Sequence, residues 1–401
     1  MAQNDTVPMA RVVTLLVPVA AAGEFRPLRR GPRGWLRNRA RRALDLLHWW
    51  AGGTPALHFS TWQDAEQSNR GDHAIREASL LLLRRAFGAA VAVEAIGWDD
   101  MARLDPAALA ARSVLFVLGG GGYVALGAGG RLAPRLDRDL AVLRRLPGPA
   151  VAFAPGVNRA VEDADGVELD AAARATLGGL MDRLARCAVR DANSRRVLDL
   201  VAPGRSRVLA DPALFLPAAD IPTPPRADGV LTVGLNLAFH GADASRALPA
   251  RLRLVAAAAR ALARRRPCRF VYFVHEQPER IIPLLLRRAG IAARTVDAPP
   301  AEMLADYRGL DLHICQMLHS SILAMNAGVP TIAVAYDVKN AGFFELMGLP
   351  ELCLSGAAPP LDAAIADVLA RRAAIADHIA RRTAELRAET EAFLAEVAGL
   401  I

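Results

Sequence analysis

The chain has 401 residues, of which 53% are hydrophobic and 22% charged, with a formal net charge of +8 and a pI near 10.1. This length accommodates two domains of ordinary size, and the balance of apolar and charged residues excludes an intrinsically disordered protein. The positive charge favours an anionic partner, a class that includes nucleic acids, phosphate-bearing small molecules and anionic membrane surfaces.

Cysteine usage and hydropathy narrow the class further. The four cysteines lie far apart and form no CxxC pair, which argues against a zinc site or a disulfide framework and predicts a cytoplasmic protein. No apolar run approaches the ~18 residues of a transmembrane helix. The apolar segment 11–25 is weakly similar to a signal peptide, but its β-branched residues and proline fit a first buried strand better.

Residues 26–50 form a basic segment that holds eight arginines and three tryptophans. A basic helix ending in aromatic residues suits a membrane surface, because Arg attracts anionic headgroups and Trp lies at the interface. This interpretation predicts a peripheral contact with the inner face of the membrane. A solvated insertion whose Trp residues cover a neighbouring helix explains the same pattern, and both interpretations stay open.

Short apolar runs alternate with longer amphipathic segments along most of the chain. The strand candidates are VVTLLVPV, AVAVEAIG, SVLFVLGG, AVAFAPG and RVLADPALFL, then LTVGLNLA, RFVYFVHE, LDLHICQM and PTIAVAYD. Apolar strands separated by helices are typical of parallel sheets built from βαβ units. A segment with four prolines, residues 216–229, lies between the two groups and indicates an interdomain linker.

We therefore predict an α/β protein with two Rossmann-like domains that face a central cleft. The N-terminal domain spans residues 1–218, the linker 219–229 and the C-terminal domain 230–360. Residues 361–401 are predicted to be C-terminal helices, whose apolar stripe serves core packing.

The first motif with chemical potential is the helix start in SNRGDHAIREASLLLLRR, residues 68–85. Gly71 permits a tight turn, and Asp72 is placed as the N-cap, which is ordinarily a structural role. A helix N-terminus that faces a cleft also presents backbone N–H groups to an anion, and a carboxylate there can act as a base.

The second motif is a strand, SVLFVLGGGGYVALG, whose glycines lie where open α/β sheets bind ligands. Its four consecutive glycines are Gly119, Gly120, Gly121 and Gly122. The loop lacks both the GxGxxG pattern of nicotinamide sites and the GK[ST] of a P-loop. In the third motif, CAVRDANSRRVLDL, Arg190 ends a strand and is placed to bind a phosphate or carboxylate through two hydrogen bonds.

The fourth motif covers residues 310–349 and includes two strand ends. The first strand ends near Gln316, and His319 and Ser320 open the helix after it; the second carries Tyr336 and Lys339 to the same edge. A lone His is more often structural than catalytic, but its place at a strand-to-helix junction beside hydroxyls favours a functional role. Lys339 is the one lysine among 49 basic residues, so either chance or a need for a compact ammonium retains it.

In this order, the motifs NRGD, GGGG, RDANS, DPALF, MLHSS and GVPTIAVAYDVKNAGF resemble the signatures of the polysaccharide pyruvyl transferase family. The resemblance spans residues 69–349, and Lys339 falls on the family's lysine. The family commonly has Arg two residues before the His, where this chain has Met317. If that arginine normally contacts the donor, the contact here falls to Gln316 or to an Arg from elsewhere.

The resemblance implies a GT-B-like architecture, with the acceptor on the N-terminal side of the cleft and the donor on the C-terminal side. It implies a transferase that moves pyruvate from phosphoenolpyruvate onto two hydroxyls of a sugar, in a cell-surface polysaccharide or its lipid-linked oligosaccharide precursor, to form a cyclic ketal. No metal and no redox cofactor are expected. His319 is then the expected acid and Asp72 the expected base, while the four glycines shape the sugar side. The expected substrate-binding side chains are Arg190, Lys339, Asn69, Gln316, Ser320 and Tyr336.

Two other functions remain open at this point. A GT-B glycosyltransferase or sugar-nucleotide epimerase would share the two domains but use a nucleotide donor. A non-catalytic glycan-binding homologue would bind the sugar without consuming phosphoenolpyruvate. Nucleic-acid binding is not predicted, because the arginines are dispersed through helices and no recognition motif accompanies them.

Overall fold

The computed structural model describes residues 11–19, 69–98, 100–101, 105–158, 166–225, 228–239, 241–335, 337–355 and 360–401. The basic segment 26–50 and Tyr336 therefore lie outside the described residues. Within the described ranges, none of the helices has both the length and the apolar character needed to cross a membrane.

The first half of the chain forms a lobe around a parallel sheet, which we call the N-terminal lobe. Its strands are β1 (Val12–Val17), β2 (Ala92–Gly97), β3 (Ser113–Leu118), β4 (Gly121–Ala125), β5 (Ala150–Phe153), β6 (Pro155–Asn158), β7 (Leu184–Val189) and β8 (Arg207–Val208). Six of them form one sheet in the order β2-β1-β3-β5-β7-β8, and β4 pairs with β6. All six residues of β1 are buried, as expected for a parallel strand covered on both faces.

The helices of this lobe lie between its strands. They are α1 (Arg70–Phe87), α2 (Pro106–Arg112), α3 (Arg135–Leu143), α4 (Ala171–Arg183) and α5 (Ala192–Asp199). The predicted strand RVLADPALFL is wrong beyond Val208, because residues 212–215 form a 3₁₀ helix. Asp211 caps that helix and Pro212 has no N–H to give to a sheet.

The second half forms a C-terminal lobe with the same construction. Its strands are β9 (Leu231–Leu235), β10 (Cys268–Phe273), β11 (Ala293–Val296), β12 (Leu312–Cys315), β13 (Thr331–Val334) and β14 (Cys353–Leu354), in the parallel order β11-β10-β9-β12-β13-β14. Its helices are α6 (Gly241–Arg265), α7 (Ile282–Arg288), α8 (Pro300–Arg308), α9 (Leu318–Asn326) and α10 (Val338–Leu346). The predicted α/β class with parallel sheets is confirmed.

The chain ends in two helices, α11 (Leu361–Ala370) and α12 (Arg372–Ala398). The second returns to the N-terminal lobe, where it packs against α1. Phe393 of α12 stacks on Phe153 of β5 with ring centroids 6.3 Å apart, and Glu396 pairs with Arg207 through two hydrogen bonds of 2.7 and 2.6 Å. The last helix therefore ties the two lobes together.

Candidate functional site

The start of α1 lies between the two lobes. Asn69 is its N-cap, and the Asn69 side-chain oxygen accepts the Gly71 N–H at 2.9 Å. Asp72 falls in the first helical turn, so the prediction of Asp72 as the N-cap is wrong. With Asn69 satisfying the backbone, the Asp72 carboxylate is not needed as a cap.

Gly71 brings this helix start against His319, which lies in the first turn of α9 in the other lobe. A Cβ atom added to Gly71 would lie 1.9 Å from His319 Nδ1 and 2.2 Å from its Cγ. No residue with a side chain fits that approach without movement of the ring. The two predicted catalytic residues, Asp72 and His319, are thus held on neighbouring helix starts.

Asp211 is a site residue that the sequence analysis did not propose. Its Oδ2 atom lies 3.6 Å from His319 Nε2 and 3.8 Å from Arg190 Nη1, and only 2% of the residue is exposed. Its other oxygen accepts the Ala213 N–H at 3.0 Å, which fixes the orientation of the carboxylate. Its position in the quoted DPALF motif was the available signal.

Asp211 Oδ2 and His319 Nε2 make no hydrogen bond within the described residues. The same holds for Arg190 Nε, which lies 3.5 Å from Asp191 Oδ2. Burial alone raises the pKa of Asp211, but contact with His319 and the charges of His319 and Arg190 hold that pKa below its ordinary value. Buried, charged and incompletely paired groups in a cleft are characteristic of a binding or catalytic site.

The pKa of Asp72 is shifted in the opposite direction. Burial raises the pKa of Asp72 to about 6, and the negative charges of Glu276 and Asp211 add to the shift. The positive charges of His319 and Lys339 oppose it. A carboxylate with this pKa is ionised at neutral pH and is a stronger base than an ordinary Asp.

Lys339 lies in the first turn of α10, and Asp337 is the N-cap of that helix. The Asp337 carboxylate accepts the Lys339 N–H at 3.0 Å, and its second oxygen lies 3.4 Å from Lys339 Nζ. The Lys339 side chain is 18% exposed, and its charge acts on Asp72. The one lysine therefore contributes positive charge to the same site.

Arg190 and the glycine loop occupy the N-terminal side of the site. Arg190 Nη2 donates to Asn158 Oδ1 at 3.1 Å. Asn158 in turn packs on Gly122, where a Cβ would lie 1.9 Å from its Nδ2. Gly120 lies against Pro212, the neighbour of Asp211.

The other two glycines of the loop, Gly119 and Gly121, contact residues away from Arg190 and Asp211. Gly119 donates its N–H to Leu16 O at 2.8 Å, and Gly121, with a φ of 99°, packs against Pro18 and Trp98. Gly120 and Gly122 thus lie nearest to the residues around Asp211 and Arg190.

Two predicted substrate-binding side chains are already occupied by protein partners. Gln316 is fully buried, and its Oε1 atom accepts the Ala238 N–H at 3.1 Å. Ser320 is fully buried as well, with Oγ 2.8 Å from His313 Nε2 and 2.9 Å from Tyr307 OH. This arrangement favours a supporting role for both, behind the surface that carries His319.

Met317, at the position of the family's arginine, is 5% exposed and packs with Ala238. Its backbone N–H donates to Asn236 Oδ1 at 3.1 Å, which fixes the turn into α9. No group of three or more His, Cys, Asp or Glu side chains that could hold a metal ion occurs among the residues that the structure describes.

Comparison with known proteins points to one family. The family model described as Polysaccharide pyruvyl transferase matches residues 69–338, which is 270 of the 401 residues. A segment of 44 residues is 43% identical to the amylovoran biosynthesis protein AmsJ of Erwinia amylovora, and the alignment spans 11% of this chain and 11% of AmsJ.

The solved structures that are similar to this chain have low sequence identity to it. A putative UDP-N-acetylglucosamine 2-epimerase of Listeria monocytogenes is 11% identical, with a TM-score of 0.52 over 78% of this chain and 88% of that protein. The UDP-GlcNAc 2-epimerase of Neisseria meningitidis is 9% identical, with a TM-score of 0.47 over 79% and 92%. The first likeness confirms the predicted GT-B-like fold.

Proposed function

The chain belongs to the polysaccharide pyruvyl transferase family, and we propose that it transfers pyruvate from phosphoenolpyruvate onto two hydroxyls of a sugar to form a cyclic ketal. The acceptor is a sugar of a cell-surface polysaccharide or of its lipid-linked precursor. The observation that carries the proposal is the approach of Gly71 to His319, which places the helix start that carries Asp72 against His319 of the other lobe.

The donor carries a phosphate and a carboxylate, so its site requires positive charge. Arg190 and Lys339 supply that charge from the two lobes. Arg190 Nε makes no hydrogen bond within the described residues, although it lies 3.5 Å from Asp191 Oδ2. The side chains of Met317 and Gln316 are packed against other protein groups, so neither makes the donor contact expected of the family's arginine. Arg190 and Lys339 therefore bind the donor in place of the family's arginine, because both can make charge-assisted hydrogen bonds to a phosphate or a carboxylate.

The acid and base roles follow from the chemistry of an enol phosphate. His319 gives a proton to the methylene carbon, which makes C2 electrophilic, and Asp72 removes a proton from an attacking hydroxyl. Asp211, whose Oδ2 atom lies 3.6 Å from His319 Nε2, orients the imidazole. The raised pKa of Asp72, about 6, leaves it ionised at pH 7.

We place this reaction in the cytoplasm, with residues 26–50 as a peripheral contact to the inner face of the membrane. That segment lies outside the described residues, so the membrane contact is a prediction from its arginines and tryptophans.

The experiment that tests the function is phosphate release from phosphoenolpyruvate in the presence of a panel of pyranoside acceptors. We expect acceptor-dependent release by the wild type and a loss of ~100-fold or more in Lys339→Arg, because a guanidinium does not fit where a compact ammonium acts. Arg253→Lys, at an exposed position of α6, is the matched control and should leave the rate unchanged.

Two results would contradict the proposal. One is the absence of phosphate release with every acceptor while the protein is folded. The other is consumption of a UDP-sugar in a parallel reaction, which would instead support a nucleotide-sugar enzyme. Retention of the wild-type rate in Lys339→Arg would remove Lys339 from the site but leave the function standing.

A further inference from the structure

Glu276 is a carboxylate of the C-terminal lobe that neither the motifs nor the family resemblance singled out. It follows β10 at the carboxyl edge of the sheet and is 7% exposed. Although it begins the 3₁₀ helix 277–281, its side chain makes no capping hydrogen bond there. Its Oε1 atom instead accepts Asn69 Nδ2, from the other lobe, at 3.1 Å.

Asn69 brings this carboxylate to the base that the proposed function uses. Asn69 Oδ1 accepts the Gly71 N–H and so caps α1, while Asn69 Nδ2 donates to Glu276. Asp72 lies three residues further on, in the first turn of the same helix, and the charge of Glu276 contributes to its raised pKa. Two carboxylates, one from each lobe, therefore lie at one helix start.

Formation of a cyclic ketal releases two hydroxyl protons. In the first step a sugar oxygen bonds to C2, and the electron pair of the C2–C3 double bond takes a proton at C3, which gives an adduct that still carries phosphate. In the second step the other sugar oxygen bonds to C2, and the C2–O bond to phosphate breaks with its electron pair on the phosphate. One proton ends on C3 and the other on the released phosphate, so no external reactant is needed.

We propose that Asp72 and Glu276 each accept one of these two protons, which makes Glu276 a second catalytic carboxylate. The inference rests on the proposed function and adds the residue that serves the second hydroxyl. Asp211, the third nearby carboxylate, is directed at His319 and Arg190. A sugar bound between the lobes thus meets one base from each side.

The test compares Glu276→Gln with Asp72→Asn in the phosphate-release reaction. Glu276→Gln keeps an oxygen for Asn69 Nδ2, so the contact between the lobes is retained. We expect each variant to lose ~100- to 10,000-fold in ketal formation. Mass spectrometry of base-quenched reactions should show the phosphate-bearing adduct of sugar and phosphoenolpyruvate in one variant and neither adduct nor ketal in the other.

A control and a second variant keep the test decisive. Glu302→Gln, at an exposed position of α8, should behave as the wild type. If Glu276→Gln does not fold, Glu276→Asp keeps the charge on a shorter side chain and should form the ketal slowly through the same adduct.

Three outcomes overturn the inference. A Glu276→Gln rate within tenfold of wild type would show that Glu276 takes no proton. Loss of the ketal without an adduct in either variant would assign Glu276 to binding or to the helix start. If the wild type itself releases no phosphate, the proposed function is wrong, and so is this inference. That result is seen before any variant is measured.

Discussion

Gly71→Ala is the substitution that most directly tests the site, because it changes one atom at the contact between the two lobes. The new Cβ would lie 1.9 Å from His319 Nδ1 and 2.7 Å from His319 Cβ. Ordinary carbon contacts need about 3.5 Å, so the ring or the helix start has to move by about 1.5 Å. A displacement of about 1 Å in catalytic geometry costs on the order of 100-fold in rate, and that is the expected loss of kcat.

The matched control is Gly178→Ala in α4, where an added Cβ meets nothing within 4 Å. Alanine at a helical glycine stabilises by up to ~1 kcal/mol, so the control should keep full activity and gain slightly in thermal midpoint. The assay is steady-state phosphate release, with circular dichroism to confirm that Gly71→Ala is folded. Near wild-type kcat in folded Gly71→Ala would refute the reasoning, since His319 would then not need its place against α1.

Two further predictions concern the carboxylates. Asp211→Asn keeps the oxygen that accepts the Ala213 N–H but removes the negative charge. The kcat should fall on the order of 10- to 1,000-fold, while the KM for phosphoenolpyruvate should stay the same or decrease. A marked rise in KM would contradict the role proposed for Asp211. Asp72→Asn should raise the thermal midpoint at pH 8. The pKa of Asp72, raised to about 6, makes its ionised form costly in the folded state above that pH, whereas below about pH 4 the difference should vanish. An equal shift at both pH values would show that the burial of Asp72 is not the cause.

The sequence was sufficient for the fold class. Alternating apolar runs and helices predicted two parallel sheets, and parallel strands bring their carboxyl ends to one edge. That pattern does not by itself join Asp72 and His319, which are 247 positions apart and belong to different lobes; the family resemblance proposed their pairing, and in the structure Gly71, next to Asp72, packs against His319. Lys339 also lies there, and its charge acts on Asp72 in the structure.

The direction of each side chain could not be predicted from the same pattern. Ser320 follows His319 directly, yet a step of one residue on a helix turns the side chain by about 100°, and its hydroxyl meets His313 and Tyr307 instead of the cleft. Asp211 was hidden for another reason. It was expected inside a strand, whereas the proline after it starts a 3₁₀ helix, and the carboxylate both caps that helix and contacts His319.

The position of Asp72 relative to the C-terminal lobe depends on contacts between the lobes that lie within a few residues of it. The Arg70 N–H donates to His275 O at 2.9 Å, and the fully buried Arg70 side chain pairs with Asp297, as Asn69 pairs with Glu276. All three contacts join the start of α1 to the C-terminal lobe. Because Asp72 extends from that same helix start, a relative rotation of the lobes would separate it from His319 only after these contacts break. Asp72, the proposed base, and His319, the proposed acid, are therefore kept in register by the helix start itself.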